Sequence, residues 1–210
     1  PVMNKPSTKR EEISEKIHGH IISDSYRWLE NTESAEVQSW LDTQDKYDRL
    51  ILDDLPQRKE LHQEFEKLFH EETFGPPHPR RGRYFFMKRT ANEDRWVLYV
   101  QEGLTGKPRV LVNPNQISKE KGHPVTLTGY SISKDAKFIT YNLSKASNDQ
   151  STLCVMNVDT GEILNDEIPA ELYPSSGAWS IDNKGFWYSR RKEDVPKGEE
   201  KFHRKVYYHK

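Results

Sequence analysis

A few side chains in this sequence have the types and spacing that chemistry requires. His18 and His20 form a His-x-His pair that could bind a transition metal. No third or fourth ligand follows at a useful spacing, so we interpret both as structural histidines. Residues 103–107 contain two glycines and a lysine, as phosphate loops do. Their spacing is wrong and no Ser or Thr follows Lys107, so a hairpin turn is the better interpretation.

The other candidates also have simpler interpretations. Cys154 is the one cysteine, so no internal disulfide is possible, and its apolar neighbours predict a small buried core residue. Asn142 begins a glycosylation sequon, which has meaning only in a secreted eukaryotic protein. Residues 80–89 interleave basic and aromatic side chains but lack the spacing of the ribonucleoprotein motif, which favours an ordinary amphipathic strand.

Motifs of common catalytic machinery are absent from the sequence. It has no Gly-x-Ser-x-Gly elbow, no His-Glu-x-x-His, no dinucleotide fingerprint and no cysteine cluster. Its carboxylates are scattered through expected turns and helix faces. We therefore nominate no catalytic, cofactor-binding or metal-binding residue and expect no cofactor.

Composition excludes some classes of partner. The 210 residues are 33% hydrophobic and 31% charged, with a formal net charge of -1, which gives no general attraction to nucleic acid or to an anionic membrane. No apolar run is long enough to span a bilayer. We expect a cytoplasmic protein, or a periplasmic or secreted one if a presequence has been removed, since the chain begins with Pro1.

The elements that carry these residues are organised by a repeat. Residues 133–141 recur almost position for position at 180–188, with Ser, Asp, Lys and Tyr each 47 residues apart. A weaker copy at 82–86 matches 136–140 at a spacing of 54, and residues of 98–106 match 153–161 at a spacing of 55. Self-similarity at this period is typical of repeat architectures.

One repeat unit has the features of a β-propeller blade. Ser-x-Asp-x-Lys before alternating aromatic and β-branched residues predicts a polar turn that leads into a strand. About four short antiparallel strands per period describe a blade, whereas the alternative, an irregular sandwich, needs no constant period. Strands are predicted at 96–102, 109–112, 125–132, 138–143, 153–158, 177–180, 185–190 and 206–209, with a further one near Ile163.

Two helices are predicted before the β region. Apolar residues at helical spacing predict a helix over 33–52, and Pro56 opens a second one. The second helix has an apolar stripe of Leu61, Phe65, Leu68 and Phe69, and we expect both helical stripes to pack on the body of the protein. The fold class is therefore mainly β, a partial propeller of about two and a half blades after an N-terminal helical segment. We divide the chain into residues 1–75 and 76–210.

The predicted propeller is incomplete, because closed propellers have 4 to 8 blades. An open stack would expose an aromatic-rich edge, which proteins normally avoid. We therefore expect the chain to be the N-terminal piece of a longer protein. Alone, it should be poorly stable and prone to self-association, and a monomer with a sharp cooperative melt would contradict this expectation.

The chain resembles the prolyl oligopeptidase family of serine peptidases over essentially its whole length. The most specific match is Tyr-Arg-Trp-Leu-Glu at 26–30, followed by residues of 36–44, which is similar to the family's N-terminal motif and first helix. Supporting matches lie at 18–19, 97–100, 112–115, 179–182, 185–188 and 205–209.

This resemblance implies a two-domain enzyme. In the family, an N-terminal segment leads into a seven-bladed propeller, and the chain returns to an α/β-hydrolase domain with a Ser-Asp-His triad. The propeller restricts access to short proline-containing peptides, which are cut after proline. By this resemblance the triad lies beyond Lys210, residues 1–75 associate with the hydrolase domain, and the partners are such peptides, that domain and the remaining blades.

The chain departs from the family pattern at three places. Ser25 and Asn31 replace a proline and an aspartate, and residues 148–150 replace a common Gly-Ser-Asp-Trp turn. Residues 173–176 read Tyr-Pro-Ser-Ser where family members can present an apolar side chain to substrate, so no substrate contact is carried over. We hypothesise an altered preference around proline, which ordinary post-proline cutting of a peptide library would refute.

A non-enzymatic propeller that binds peptides or proteins is the alternative function. Trp-Asp repeat proteins are the obvious candidates, but the chain contains no Trp-Asp dipeptide. A Gly-x-Ser-x-Gly elbow downstream in the gene would favour the peptidase, and a stop codon after closure of the propeller would favour the binding module.

Overall fold

The computed structural model of the protein describes residues 4–145, 150–171, 176–191, 194–196, 198–199 and 202–210. It contains two compact units, of which the first ends at Leu68 and the second begins at Phe69. The division of the sequence into a hydrolase-associated part, 1–75, and a propeller part, 76–210, is a functional one and stays a prediction.

The first unit consists of a hairpin, a short turn and two helices. Its elements are β1 (Ile13–Ile17), β2 (His20–Asp24), a 3-10 turn (Arg27–Glu30), α1 (Ala35–Leu52) and α2 (Arg58–Phe69). The Ser34 hydroxyl caps α1 by accepting a hydrogen bond from the Val37 N–H at 3.2 Å. The strands β1 and β2 form a hairpin, which turns at His18 and Gly19 with φ of 49° and 87°.

Few side chains of the first unit are buried. Val37 is its one buried hydrophobic residue among those that the structure describes. The apolar stripe of α2 is exposed, with 55% of Leu61 and 69% of Leu68 accessible to solvent. No described element of its own unit covers this stripe, so its packing on the body of the protein stays a prediction.

The second unit is built from three antiparallel sheets in chain order. The first sheet contains β3 (Thr73–Phe74), β4 (His78–Arg80), β5 (Arg83–Arg89), β6 (Val97–Glu102) and β7 (Arg109–Val112). After α3 (Pro114–Lys121), the second sheet contains β8 (Val125–Ile132), β9 (Phe138–Lys145), β10 (Gln150–Asn157) and β11 (Ile168–Glu171). The third sheet contains β12 (Ala178–Trp179), β13 (Phe186–Arg191) and β14 (Arg204–His209). The predicted fold class, a mainly β partial propeller, is confirmed.

Two local features differ from the prediction. The strand expected near Ile163 is a single bridge to Met156, and β11 starts only at Ile168. The helix α3 was not predicted, although its signals are in the sequence. The Asn113 side chain caps it by accepting from two backbone N–H groups, at 3.0 and 3.2 Å, and Gly122 ends it with a φ of 69°.

The pairing of the strands corrects the repeat in the first sheet. Phe85 pairs with Val100, and Thr140 pairs with Val155. These two valines are 55 residues apart, so their partners Phe85 and Thr140 are equivalent positions of the two sheets. The match of residues 82–86 to 136–140, which has a spacing of 54, is therefore wrong by one residue. A one-residue shift moves each side chain to the opposite face of the sheet. The difference arises in the turn, since two residues, 81–82, join β4 to β5 whereas five residues, 133–137, join β8 to β9.

Strand β10 shows how the sheets are packed. Cys154 and Met156 belong to one buried cluster with residues of the first sheet, while Leu153 and Val155 belong to another with Phe186 of the third. Alternate residues of a strand point to opposite faces. The second sheet is therefore buried on both faces, between its two neighbours.

The repeated Ser-x-Asp-x-Lys segments form the same turn. Ser133 donates a hydrogen bond to the Asp135 carboxylate at 2.6 Å, which also accepts from the Lys137 N–H at 3.1 Å. In the later copy, Ser180 and the Lys184 N–H donate to the carboxylate of residue 182 at 2.6 and 3.2 Å. These residues hold the turn, which accounts for their repetition without a chemical role.

The turns also connect neighbouring sheets. The Asp135 N–H donates to the Asn183 side chain at 3.2 Å, between the second and third sheets. Asn183 has a φ of 58°, a left-handed conformation that asparagine tolerates better than most residues. The Arg83 guanidinium joins the first sheet to the second by donating to the Ala136 carbonyl at 2.8 Å and to the Asp159 carboxylate.

We expect Asp135→Asn to destabilise the protein at neutral pH and much less in acid. Partial burial acts to raise the pKa of Asp135, but the hydrogen bonds from Ser133 and Lys137 outweigh it and lower this pKa. The ionised carboxylate therefore stabilises the fold above the unfolded-state pKa of about 4, and this contribution is lost as the pH falls through the lower folded-state value. Urea unfolding should show a loss of about 1 kcal/mol at pH 7 that shrinks below about pH 4.

The control for this substitution is Asp42→Asn on the exposed surface of α1. It should leave the unfolding free energy unchanged at both pH values. An equal loss for Asp135→Asn at pH 7 and pH 3 would show that the charge of this carboxylate does not stabilise the turn.

Candidate functional site

The candidate chemical groups of the sequence are not brought together. His18 and His20 lie in the exposed β1–β2 hairpin, and the described residues contain no group of three or more His, Cys, Asp or Glu that could hold a metal ion. Cys154 is buried, and this burial raises the pKa of its thiol, so it stays protonated and is no nucleophile at neutral pH. The prediction that it is a small core residue is confirmed.

The remaining motifs have structural roles. Asn142, of the sequon, is 2% exposed, and its amide donates to the Ser151 hydroxyl at 3.0 Å inside the second sheet. It is therefore inaccessible to a glycosylating enzyme in the folded chain. Residues 103–107 form the connection from β6 to β7, as predicted, and a Cβ at Gly106 would lie 2.1 Å from the Glu102 carbonyl oxygen.

The segment that leads into β12 is the best candidate for a functional contact, because it begins at the end of residues 173–176, which depart from the family pattern. Of these four, only Ser176 lies within the described residues. The Thr140 hydroxyl donates to the Ser176 carbonyl, which ties this segment to the second sheet. Thr140 is itself fully buried.

Trp179 anchors the other end of this segment. Its ring lies 6.1 Å from that of Phe138 and 5.2 Å from that of Phe186, and its indole N–H donates to the Ser131 carbonyl at 3.3 Å. Aromatic contacts at such distances stabilise the packing beyond the area that they bury. The chain is therefore held to the second sheet on both sides of Gly177.

Two glycines allow this close approach. Gly177 has a φ of 89°, and a Cβ there would lie 3.1 Å from the Phe186 ring and 3.2 Å from the Thr140 hydroxyl oxygen. A Cβ at Gly129 would lie 2.4 Å from the Ser176 hydroxyl oxygen. These close approaches fix the backbone at 176–179. Neither glycine was predicted from the sequence, because the prediction considered only the chemistry of side chains.

A histidine and a tyrosine form a second polar feature, between the first and second sheets. The Tyr130 hydroxyl lies 2.8 Å from Nδ1 of His78, and the ring centroids are 5.6 Å apart. Burial raises the pKa of Tyr130 to about 12, so its hydroxyl stays protonated at neutral pH. This hydroxyl also donates to the Phe85 carbonyl at 3.4 Å. The His78 ring is exposed, so its Nε2 can contact a polar ligand.

A polar cleft of about 640 Å³ lies between residues 92–95 and α3. The Asn115 side chain accepts from the Arg95 N–H and donates to the Arg95 carbonyl, each at 3.0 Å. Both hydrogen bonds of the Asn115 side-chain amide are therefore made to the backbone of the loop at 92–95. The cleft could hold a small polar ligand, but it contains no paired nucleophile and base.

Comparison with known proteins identifies similar sequences along the whole chain. The family described as "Prolyl oligopeptidase, N-terminal beta-propeller domain" matches residues 5–210. A prolyl endopeptidase from Elizabethkingia meningoseptica is 28% identical over 214 residues, covering 100% of this chain and 29% of the relative. One from Elizabethkingia miricola is 27% identical and covers 98% of this chain and 29% of the relative.

Solved structures show the same fold. A chain from a study of two prolyl endopeptidases superposes with a TM-score of 0.84 at 30% identity, covering 98% of this chain and 30% of that one. Prolyl oligopeptidase B from Galerina marginata superposes with a TM-score of 0.76 at 22% identity, covering 99% and 32%, which shows likeness of fold alone. The chain thus spans about 30% of the length of the proteins that it matches.

We expect Gly177→Ala to be more destabilising than Gly161→Ala. Both glycines have positive φ, but a Cβ at Gly161 meets nothing within 4 Å, whereas one at Gly177 meets the second and third sheets. Gly161→Ala should cost about 1 kcal/mol for the left-handed backbone. Gly177→Ala should cost roughly 1–2 kcal/mol more because it also crowds the packed groups.

Chemical denaturation of both variants beside the wild type measures this difference. Equal losses would mean that the segment at 176–179 is not held tightly between the sheets.

Proposed function

The chain belongs to the prolyl oligopeptidase family, and we propose that it is the N-terminal and propeller portion of a serine endopeptidase that hydrolyses short proline-containing peptides. The observation that carries the proposal is the match of residues 5–210 to the family's propeller domain. The relatives that match along the whole chain are named prolyl endopeptidases. Because the chain spans 29% of their length, the activity is proposed for a protein that also contains a hydrolase domain.

The propeller portion acts in this proposal as a gate and not as a catalyst. Its buried residues connect one sheet to the next, and the candidate groups described above contain no nucleophile with a base beside it. Stacked sheets that cover a triad exclude folded proteins while a short peptide can still reach the nucleophile. The triad would then act by base-activated serine attack, with an oxyanion hole that stabilises the developing charge.

The composition of the first unit supports its association with the hydrolase domain. Large apolar side chains stay exposed on both helices, among them Leu41, Leu50, Ile51, Leu61 and Leu68. Complete burial of one such side chain is worth about 1.5–3 kcal/mol. A unit with so little core of its own gains most of its stability from a partner, and the proposed partner is the α/β-hydrolase domain.

The third sheet supports the proposal that further blades complete the propeller. It has three described strands where the second sheet has four, and β14 is the edge strand at one end of the described sheet. In the proposed enzyme, later strands of the same polypeptide pair with β14 and later sheets stack on the third one. Residues 173–176, which depart from the family pattern, would then give this enzyme a preference around proline that differs from that of its relatives.

Leu61→Asp in the complete protein should destabilise it, because Leu61 would then lie against the hydrolase domain. Burying a carboxylate there should cost about 2–4 kcal/mol, measured as a lower free energy of unfolding. The matched control is Gln63→Asp, which introduces the same side chain on the opposite, exposed face of α2 and should cost less than about 0.5 kcal/mol.

In the 210-residue chain alone, both variants should behave alike, since Leu61 is exposed there. Indistinguishable stabilities of the two variants in the complete protein as well would contradict the association of residues 1–75 with a hydrolase domain.

The peptidase proposal is tested by cleavage of a peptide library by the complete protein, with products sequenced by mass spectrometry. We expect cuts after proline in short peptides and none in a folded protein that contains exposed prolines. Binding of peptides without cleavage would contradict the peptidase proposal and favour the non-enzymatic propeller.

A further inference from the structure

The polar cleft between residues 92–95 and α3 has a volume of about 640 Å³, and both of its walls belong to the described chain. One wall is the connection from β5 to β6, and the other is the helix that leads into β8. The first and second sheets are both present, so neither wall needs a later sheet of a longer protein to complete it. The shape of the cleft is therefore a property of this chain.

Hydrogen bonds from side chains to the backbone hold both walls in place. The Thr90 N–H and hydroxyl donate to the Glu93 carboxylate at 3.1 and 2.9 Å, which closes the loop that they belong to. In α3 the Ser118 hydroxyl donates to the Pro114 carbonyl at 2.7 Å. The same hydroxyl accepts from the Val125 N–H at 2.8 Å, which ties the helix to β8. Walls that are ordered before a ligand arrives lose little conformational entropy when it binds.

Two cationic side chains of the cleft lack an acidic partner. Arg95 and Lys119 both line it, and neither forms an ion pair with another described residue. Nε of Arg95 is buried and has no hydrogen-bond partner within the part of the chain that the structure describes. A buried N–H of this kind costs free energy until an acceptor meets it. A carboxylate is the acceptor whose planar geometry matches a guanidinium.

The cleft also contains two acidic residues, which limit what it can bind. The hydrogen bonds from Thr90 turn the Glu93 carboxylate back toward its own loop. Asp94 is exposed at the cleft, and its negative charge opposes an anion there. Two unpaired cations thus face one unengaged carboxylate. This balance favours a ligand with a single carboxylate over a more highly charged anion such as phosphate.

The strand pairing places the cleft at the same end of the sheets as the segment that contains Ser176. At the opposite end the short turns of the three sheets contact one another. Nε of Arg81 donates to the Lys134 carbonyl at 3.3 Å, and the Asp135 N–H donates to the side chain of Asn183 at 3.2 Å. Successive connections of antiparallel strands alternate between the two ends. The connections that form the cleft and the one that contains Ser176 therefore lie away from these turns.

Strand β8 gives the separation between the cleft and this segment. Val125, at the start of the strand, is bonded to Ser118 in the cleft wall. Further along, a Cβ at Gly129 would lie 2.4 Å from the Ser176 hydroxyl oxygen. Gly129 follows Val125 by four residues, which is about 13 Å of strand. An extended peptide covers this distance with about four residues.

We propose that this cleft binds the C-terminal carboxylate of a short peptide substrate, through the Arg95 guanidinium and the Lys119 ammonium. The inference rests on the proposed peptidase function, which supplies the peptide. A peptide whose proline lies near Ser176 would place its carboxylate in the cleft about four residues further on. The cleft then favours peptides that end shortly after the bond to be cut, and the bound carboxylate fixes the position of the proline.

Cleavage of matched peptides by the complete protein tests this proposal. The probes are N-acetylated hexapeptides with proline at the second position, which end either in a free carboxylate or in an amide. We expect kcat/KM to be roughly 10-fold higher for the acid, because a charge-assisted contact with a partly buried arginine is worth about this factor. Equal values for the two peptides would overturn the cleft proposal while the peptidase proposal stands. Cleavage of neither peptide would contradict the peptidase proposal itself.

Substitutions in the cleft show which side chains meet the carboxylate. Arg95→Gln should lower the acid-to-amide ratio of kcat/KM roughly 10-fold, and Lys119→Gln, at an exposed position, about 3-fold. Asp94→Asn should raise this ratio, because it removes the opposing charge. The control is Lys121→Gln, which removes the same charge from an exposed residue of α3 outside the cleft lining and should leave the ratio unchanged. Equal losses for Lys119→Gln and Lys121→Gln would overturn the proposal, since they would indicate attraction by the general charge of the helix.

The length of the peptide gives a readout that needs no variant. Adding or removing residues after proline moves the carboxylate relative to Ser176, so the preference for the acid over the amide should be largest when about four residues follow proline. It should fall for shorter peptides, whose carboxylate cannot reach the cleft. A preference that is the same at every length would overturn the proposal, because it would not depend on contact with Arg95 and Lys119.

Discussion

The structure of the second unit depends on one constraint, the burial of the second sheet on both of its faces. Along β10, Leu153 and Val155 face the third sheet while Cys154 and Met156 face the first. A strand that is apolar on both sides is stable in water only between two other layers. This requirement sets the order of the three sheets. The turn contacts of Arg83 and Asn183 then fix how each sheet is placed against the next.

Most of the strands could be predicted from the sequence because one repeated turn carries a specific chemistry. The Ser-x-Asp-x-Lys pattern holds its own backbone by side-chain hydrogen bonds, so it recurs wherever β8–β9 or β12–β13 must turn. The first sheet turns with Arg81 and Gly82, and this shorter turn shifts the repeat by one residue. Sequence similarity could not reveal that shift, since adjacent aromatic residues at 84–86 fit either alignment.

The features that the sequence did not predict depend on tertiary surroundings. The helix α3 is only eight residues long, and a short helix gives little periodic signal even with Asn113 and Gly122 at its ends. The stripe of α2 was correctly recognised as apolar, but its exposure depends on what lies against it. Close approach at Gly177 requires knowledge of Phe186 and Thr140, which are neighbours in space only. The functional conclusion therefore comes from family membership and from the packing of whole sheets, because the residues that the structure describes contain no cluster of reactive side chains that identifies it.

The most direct test of the account is the size and activity of the native protein that contains α1. An antibody against this exposed helix should precipitate it from its source, and an immunoblot gives its mass for comparison with 24.7 kDa. The account predicts a band several times larger, with proline-specific endopeptidase activity in the precipitate. A band near 24.7 kDa without such activity would contradict it.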